Sequence, residues 1–204
     1  GFESQIIFVE KLEDFDAVIA TGSNNTARYF KQYFGRYPHI IRKNRNSVAI
    51  IHHDDGLEDL KPLGADIFQY YGLGCRSVSK LYIPKNYRLD TIFEAFFDYK
   101  DITNNNKYAN NYDYNKAVYL MNVQQILDNN FILLKEEKSL HSPLGVLFYE
   151  RYSSVSELEG YIDLNKEKIQ VVVGGSYVPF GEAQCPSLTD YADGVDTMKF
   201  LTEL

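Results

Sequence analysis

The sequence predicts an α/β fold, on three observations. Short apolar runs of strand length recur along the chain, among them Ala17–Ala20, Val48–Ile51 and Ile169–Val173. Segments with apolar residues at helical spacing lie between them, and glycine turns such as TGS and GLGC mark the joints. Strands alternating with helices are the pattern of β-α-β units in a parallel sheet. With 204 residues, 45% hydrophobic and 24% charged, the chain can fill one or two globular domains.

In order, Ile6–Val9 and Ala17–Ala20 read as short buried strands. The second runs into TGSNN and then a helix that Ser23 or Asn24 can cap. Its face is Ala27, Phe30 and Phe34, with Gly35 past the end. Ile40 and Ile41 return as a strand and complete a β-α-β unit. A basic polar break, Arg42–Ser47, precedes the strand Val48–Ile51, and Leu57, Leu60, Ile67 and Tyr70/Tyr71 then share one helical face. That helix delivers the chain to the turn Gly72–Cys75 and to a strand over Lys80–Pro84. Further on, Thr91–Tyr99, Asn115–Leu127 and Ser156–Ile162 read as helices, and Phe131–Leu134, Val146–Tyr149 and Ile169–Val173 as strands. Asn104–Tyr114, rich in Asn and Tyr, reads as a polar loop. No internal repeat is visible.

Several classes of function are disfavoured by composition. A net charge of −7 argues against nucleic acid as a partner, because phosphate-backbone binding needs a dense excess of Lys and Arg. No apolar run approaches the roughly 18 residues of a bilayer span. The N-terminus GFESQ carries no secretory signal, and a start at Gly1 suggests cleavage or truncation. Two cysteines without CxxC spacing encode neither a zinc knuckle nor a disulfide framework and fit a reducing cytoplasm.

Among residues that can carry chemistry, Cys75 stands out. Gly72 and Gly74 let the backbone bend around it and let a substrate approach. A cation such as Arg76 or Lys80 would favour its thiolate, which makes it a candidate nucleophile; the competing reading is a small buried hydrophobe. Cys185 is expected to be structural. His39, His52, His53 and His141 are scattered, and none is joined to Cys75 by a signature. His52-His53-Asp54-Asp55 suggests a metal site, but neighbours at a strand end point to opposite faces, so a solvated loop is the better reading and no metal is expected. The TGSNN turn can cradle a phosphate with free helix-end amides.

The order of these features, DAVIATGSNNTARYF, then a strand, NSVAII, a helix and GLGCRSVSKLYIP, resembles the second half of the aldehyde dehydrogenase superfamily. There an FTGS-type turn contacts the dinucleotide and a catalytic Cys follows some fifty residues later; here the interval from Gly22 is 75 − 22 = 53 residues. The resemblance is closer to the acyl-CoA reductase family, the fatty-acyl reductases of bacterial luminescence. It is carried by RKNRNS, GLGCRSVSKLYIP, KYANNYDYNKAVYLMN, HSPLGVLFYE and AQCPSLTDYADGVDTM and extends over essentially the whole chain.

This resemblance implies an aldehyde-dehydrogenase-like partial chain. Residues 1–44 would be the C-terminal part of a dinucleotide-binding domain and residues 45–204 a catalytic domain. Earlier strands of the cofactor domain, and an Asn that helps hold the oxyanion, would lie upstream; a terminal oligomerisation strand would lie beyond Leu204. Cys75 is then the catalytic nucleophile, its backbone N–H one oxyanion donor, and Thr21, Gly22 and Ser23 contact the cofactor, NADPH. The Glu that activates hydrolytic water in ordinary aldehyde dehydrogenases is replaced by Arg42, so coenzyme A becomes the economical exchange partner of the thioester. Arg42, Lys43 and Arg45 are candidates to face a phosphate of CoA or NADPH, with a solvated basic hinge as the alternative. The E-x-F-G-P motif that grips the nicotinamide ribose is not recoverable near His141-Ser142-Pro143.

The implied activity is NADPH-dependent reduction of a fatty acyl-CoA or acyl-protein thioester to the aldehyde. Acyltransferase or synthetase subunits and further copies of the chain are the partners implied. Two other readings stay open: a non-catalytic interaction subunit of the same shape, and a thiol acyltransferase without hydride transfer.

Overall fold

The computed structural model describes residues 3–204, which form two compact units. The first comprises the N-terminal segment to Asn44 together with Asp190–Leu204, so the C-terminal tail joins it and not the second unit, Arg45–Thr189.

In the first unit, β1 (Val18–Thr21) pairs in parallel with β2 (His39–Arg42), Val18 opposite His39 and Thr21 opposite Arg42. Between them lies α1 (Asn24–Phe34), the expected β-α-β unit. Ser23 is the N-cap: its Oγ accepts from Thr26 N at 3.1 Å, satisfying one amide that a helix start leaves without a partner. Phe15 packs its ring against Phe34 and Tyr37. A short helix, α7 (Thr197–Thr202), is capped by Asp196, and Arg42 Nη2 donates to Thr197 Oγ1 at 3.3 Å. The strand expected at Ile6–Val9 does not form. These residues lie outside any strand and are exposed, Phe8 at 97%. High β-propensity describes fit to a neighbouring pleated surface, and without such pairing it makes no strand.

The second unit is built on a six-stranded sheet in the order β5 (Leu127–Asp128), β6 (Leu133–Glu136), β7 (Val146–Tyr152), β4 (Val78–Pro84), β3 (Asn46–Ile50) and β8 (Ile169–Val173). All neighbours are parallel except β5 and β6. One face, with Ala49, Leu81, Ile83 and Leu147, packs under α2 (Leu57–Leu60), α3 (Leu63–Phe68) and α4 (Leu89–Ala95). The other carries Val48, Ile50 and Tyr82 against Leu158 and Ile162 of α6 (Val155–Leu164). Helices on both faces bury the central strands from both sides, which is why they read as continuous apolar runs.

Two departures from the sequence reading concern helices. Asn104–Tyr114 is not a loop: α5 (Asn106–Met121) occupies most of it, with Asn105 Oδ1 accepting from Tyr108 N at 3.1 Å. Tyr108 and Tyr112, one turn apart, are buried against Leu133, Val146 and Phe148. Their hydroxyls donate to Phe131 O at 3.0 Å and Asp128 Oδ1 at 2.6 Å. Tertiary packing of amphipathic rings here overrides the weak helix propensity of Asn. The single helix expected from Leu57 to Tyr71 is broken at Pro62, which lacks the amide a helix interior needs, and gives α2 and α3. It ends in a tight turn where Tyr70 and Tyr71 take φ of 55° and 59° and are exposed, not on the apolar face.

Candidate active site

Cys75 is exposed and lies between the end of α3 and the start of β4, on the turn that Gly72 begins with φ of 72°. The turn is held from three directions. Ser77 N donates to Gly74 O at 3.0 Å, closing it on itself. Ser47, wholly buried at the start of β3, donates its hydroxyl to Cys75 O at 2.9 Å. From the third side comes the segment after β8: Arg76 Nε donates to Ala183 O, and Gln184 Nε2 donates to Ser77 Oγ at 3.3 Å.

That segment is itself anchored. Asp66, on α3 and fully buried, accepts from Gly181 N at 2.6 Å and Ala183 N at 2.8 Å. Burial pushes the Asp66 carboxyl above its ordinary range, against the two N–H bonds that favour the ionised form. The helix before the Cys75 turn therefore holds the segment that holds the turn, a closed loop of contacts around an exposed Cys75.

The cations expected to face the thiol are engaged elsewhere. Lys80 is wholly buried, with its ammonium 2.5 Å from Glu150 Oε2 and 2.8 Å from Lys138 O, and burial lowers its pKa. Its partner is a carboxylate at the edge of the core, so a buried ammonium is paired with a partly exposed Glu150. Arg76 meets Ala183 O as described. Cys185, expected to be structural, is exposed and free like Cys75.

In the first unit, Thr21 ends β1 and is exposed, and Gly22 N donates to Arg42 O at 3.2 Å. A Cβ on Gly22 would stand 2.8 Å from Thr26 Cβ, so only glycine lets the strand turn directly into α1. Ser23 caps the helix and also meets Thr26 Oγ1 at 2.9 Å. The first turn of α1 carries no acidic side chain, so its amide end suits an anion such as a cofactor phosphate. Arg45, a candidate phosphate contact, donates through Nη2 to Lys166 O at 2.6 Å and to Ile169 O, clasping the start of β8. Asp55 Oδ2 accepts from His52 N at 2.7 Å, closing the loop after β3. Among the described residues, no group of three or more His, Cys, Asp or Glu is placed to hold a metal ion.

Sequence reasoning missed Ser47, Asp66 and Gln184, which reach the turn or its anchor across 28, 115 or 117, and 107 residues respectively. It also missed that Asn46 Oδ1 lies 3.1 Å from His141 Nδ1, a pairing across 95 residues with no local signal.

No protein-family model matches the chain, and no curated protein does. Solved structures do. An indole-3-acetaldehyde dehydrogenase bound to NAD+ is similar with a TM-score of 0.57 and 15% identity over 78% of this chain and 39% of its own. A Mycobacterium tuberculosis aldehyde dehydrogenase bound to NAD+ gives 0.55, 15%, 78% and 40%. An NAD-dependent aldehyde dehydrogenase from Sinorhizobium meliloti gives 0.58, 11%, 93% and 41%. The chain thus spans about two fifths of the length of these structures. Among the described residues no helix is long and apolar enough to cross a membrane. At these identities the likeness is one of architecture: this is an α/β chain with the aldehyde dehydrogenase fold, matching part of those longer chains.

Proposed function

We propose that the chain belongs to an acyl-CoA reductase and that Cys75 carries the acyl group. The observation behind this reading is the nucleophile turn: an exposed thiol between a helix and a strand, with its own carbonyl bound by a buried Ser47. The fold shared with aldehyde dehydrogenases supports it, as do the acyl-CoA-reductase motifs in the sequence.

In this reading the Cys75 thiolate attacks the carbonyl carbon of a fatty acyl-CoA, the bond to the CoA sulfur breaks, and an acyl thioester on Cys75 results. The backbone N–H of Cys75 is a candidate donor to the oxyanion, an interaction of a few kcal/mol when preorganised. Arg42, where ordinary aldehyde dehydrogenases place a carboxylate, cannot prepare water, so the thioester persists for reduction or for exchange with a second thiol. NADPH, when bound, would supply the hydride that releases the aldehyde. The groups that suit its phosphates are the turn Thr21–Ser23 and the amide end of α1. Acyl-protein thioesters, partner subunits of a fatty-acid reductase assembly and further copies of the chain belong to the same proposal.

A thiol acyltransferase is the second reading. It is favoured by one observation: Ser47, Ala183 and Gln184, which hold the Cys75 turn, lie within Arg45–Thr189 together with Cys75 itself. Mass spectrometry after incubation with a long-chain acyl-CoA tests both. An acyl adduct on the wild type that is lost in Cys75→Ala is expected, and an equal adduct in the variant would remove Cys75 from the mechanism. Aldehyde formed from NADPH by the longer protein separates reductase from transferase.

A further inference from the structure

We propose that the cleft between α3 and the segment Phe97–Asn104 binds a small apolar cation, an ammonium carried on an alkyl or aryl chain. The inference is independent of the reading of Cys75. The cleft lies within Arg45–Thr189 and measures about 450 Å³, inside the range of roughly 300–1,000 Å³ typical of small-molecule sites. Local structure sorts its walls. Phe97–Asn104 is a 3-10 helix, in which side chains three apart stand in line. Tyr99 and Ile102 therefore form one row and Asp98 and Asp101 the next, and all four line the cleft.

Packing fixes the apolar wall. Ala65 and Phe68 line the cleft from α3. Gly64, buried on the same helix, has no side chain to hold the segment off, and a methyl group there would collide with the Tyr99 ring. The ring instead stacks on Phe68, with centroids 5.0 Å apart and planes 24° from parallel, and Phe68 in turn meets Phe96 edge-on at 5.7 Å. An aromatic surface held by its own core needs no rearrangement to take an apolar tail.

Charge selects the head group. Asp98 and Asp101 are exposed, and neither Lys nor Arg lines the cleft. The cations of this neighbourhood are engaged: Lys61 Nζ, within the field of Asp98, is 2.6 Å from Glu58 Oε1, and Lys100 Nζ lies 4.6 Å from the centre of the Phe97 ring. The Tyr99 phenol is pushed up, first by burial and then by the charges of Asp66 and Asp98, as a negative potential in the cleft requires. A ligand with its tail on Phe68, Tyr99 and Ile102 places its head beside the two carboxylates. An ammonium there gains their attraction and that of the ring faces, an alcohol gains neither, and a carboxylate is repelled.

The test titrates the 204-residue chain with phenethylammonium, phenethyl alcohol and hydrocinnamate, which share an aryl tail and differ in head charge, and follows backbone amide shifts by NMR. The ammonium should move the amides of Ala65, Gln69 and Asp98–Ile102 saturably and bind about tenfold more tightly than the alcohol, the span that two partly exposed carboxylates supply. Added salt should narrow that gap, and hydrocinnamate should bind more weakly than either. Asp98→Asn combined with Asp101→Asn should bring the ammonium down to the affinity of the alcohol and leave the alcohol unmoved. Ala65→Leu, which fills the cleft, should weaken both. Equal affinity for ammonium and alcohol, an ammonium affinity unchanged by the double substitution, or no saturable shift of these amides up to about 10 mM ammonium would each overturn the proposal.

Discussion

Replacing Asp66 by Ala should loosen the Cys75 turn without touching it. The carboxylate is fully buried and accepts from Gly181 N at 2.6 Å and Ala183 N at 2.8 Å. Ala183 is itself completely buried, so its amide would be left without a partner, at a cost of about 1–3 kcal/mol. Gly181 is half-buried and its amide recovers water, so its loss adds about 1 kcal/mol or less. Relief of the buried charge offsets part of this, and the balance is about 2–3 kcal/mol. With a urea slope near 2 kcal/mol/M, the unfolding midpoint should fall by roughly 1–1.5 M. Asp66→Asn keeps one acceptor oxygen and should fall about half as far. The folded carboxyl also holds its proton to higher pH than the unfolded one, so wild-type stability declines as pH rises through that interval, and Asp66→Asn should flatten this component. Hydrogen exchange gives the local view: the amides of Gly181 and Ala183 should lose protection first in Asp66→Ala, and Gln184→Ala should add little once the anchor is gone. An unchanged midpoint together with unchanged protection of these two amides would refute the reasoning.

Other perturbations test separate parts of the fold. Ser47→Ala removes the hydroxyl bound to Cys75 O and should cost about 1–2 kcal/mol in urea unfolding, with faster exchange of the Ser77 amide as the turn loosens. Gly64→Ala would drive a methyl group into the Tyr99 ring and should destabilise the chain by about 1–3 kcal/mol, recovered in part by Tyr99→Leu. The Tyr112 phenol is pushed up to about 12, first by burial and then by its bond to Asp128. The folded state therefore keeps a proton that the unfolded state releases near pH 10, and stability should fall as pH rises from 10 to 12. Burial raises other tyrosines too, Tyr108 and Tyr119 among them, so Tyr112→Phe should make that decline shallower by the Tyr112 share and remove one late-titrating phenol from the ultraviolet titration.

Much of the fold was legible because its signals are local. The cap at Ser23 reaches only to Thr26, so TGSNNTARYF carries its own instruction for a strand, a sharp turn and a helix start. The apolar run Val48–Ile51 announces a strand because a central parallel strand is buried on both faces, and Ile169–Val173, at the edge of the sheet, announces one by its β-branched residues. Glycines at 72 and 74 place Cys75 on a turn wherever that turn ends up. Tertiary structure decided what depends on a distant neighbour. Tyr108 and Tyr112 make a helix of an Asn-rich stretch only because Leu133, Val146 and Phe148 lie beneath them. Ile6–Val9 has the composition of a strand and none of its pairing. The buried Asp66 reads in sequence as a polar residue on an amphipathic helix, and the scattered histidines gave no sign that His141 meets Asn46. A hydrogen bond across 95 or 117 residues costs chain entropy that only the packed sheet repays, so no window of sequence around either partner encodes it.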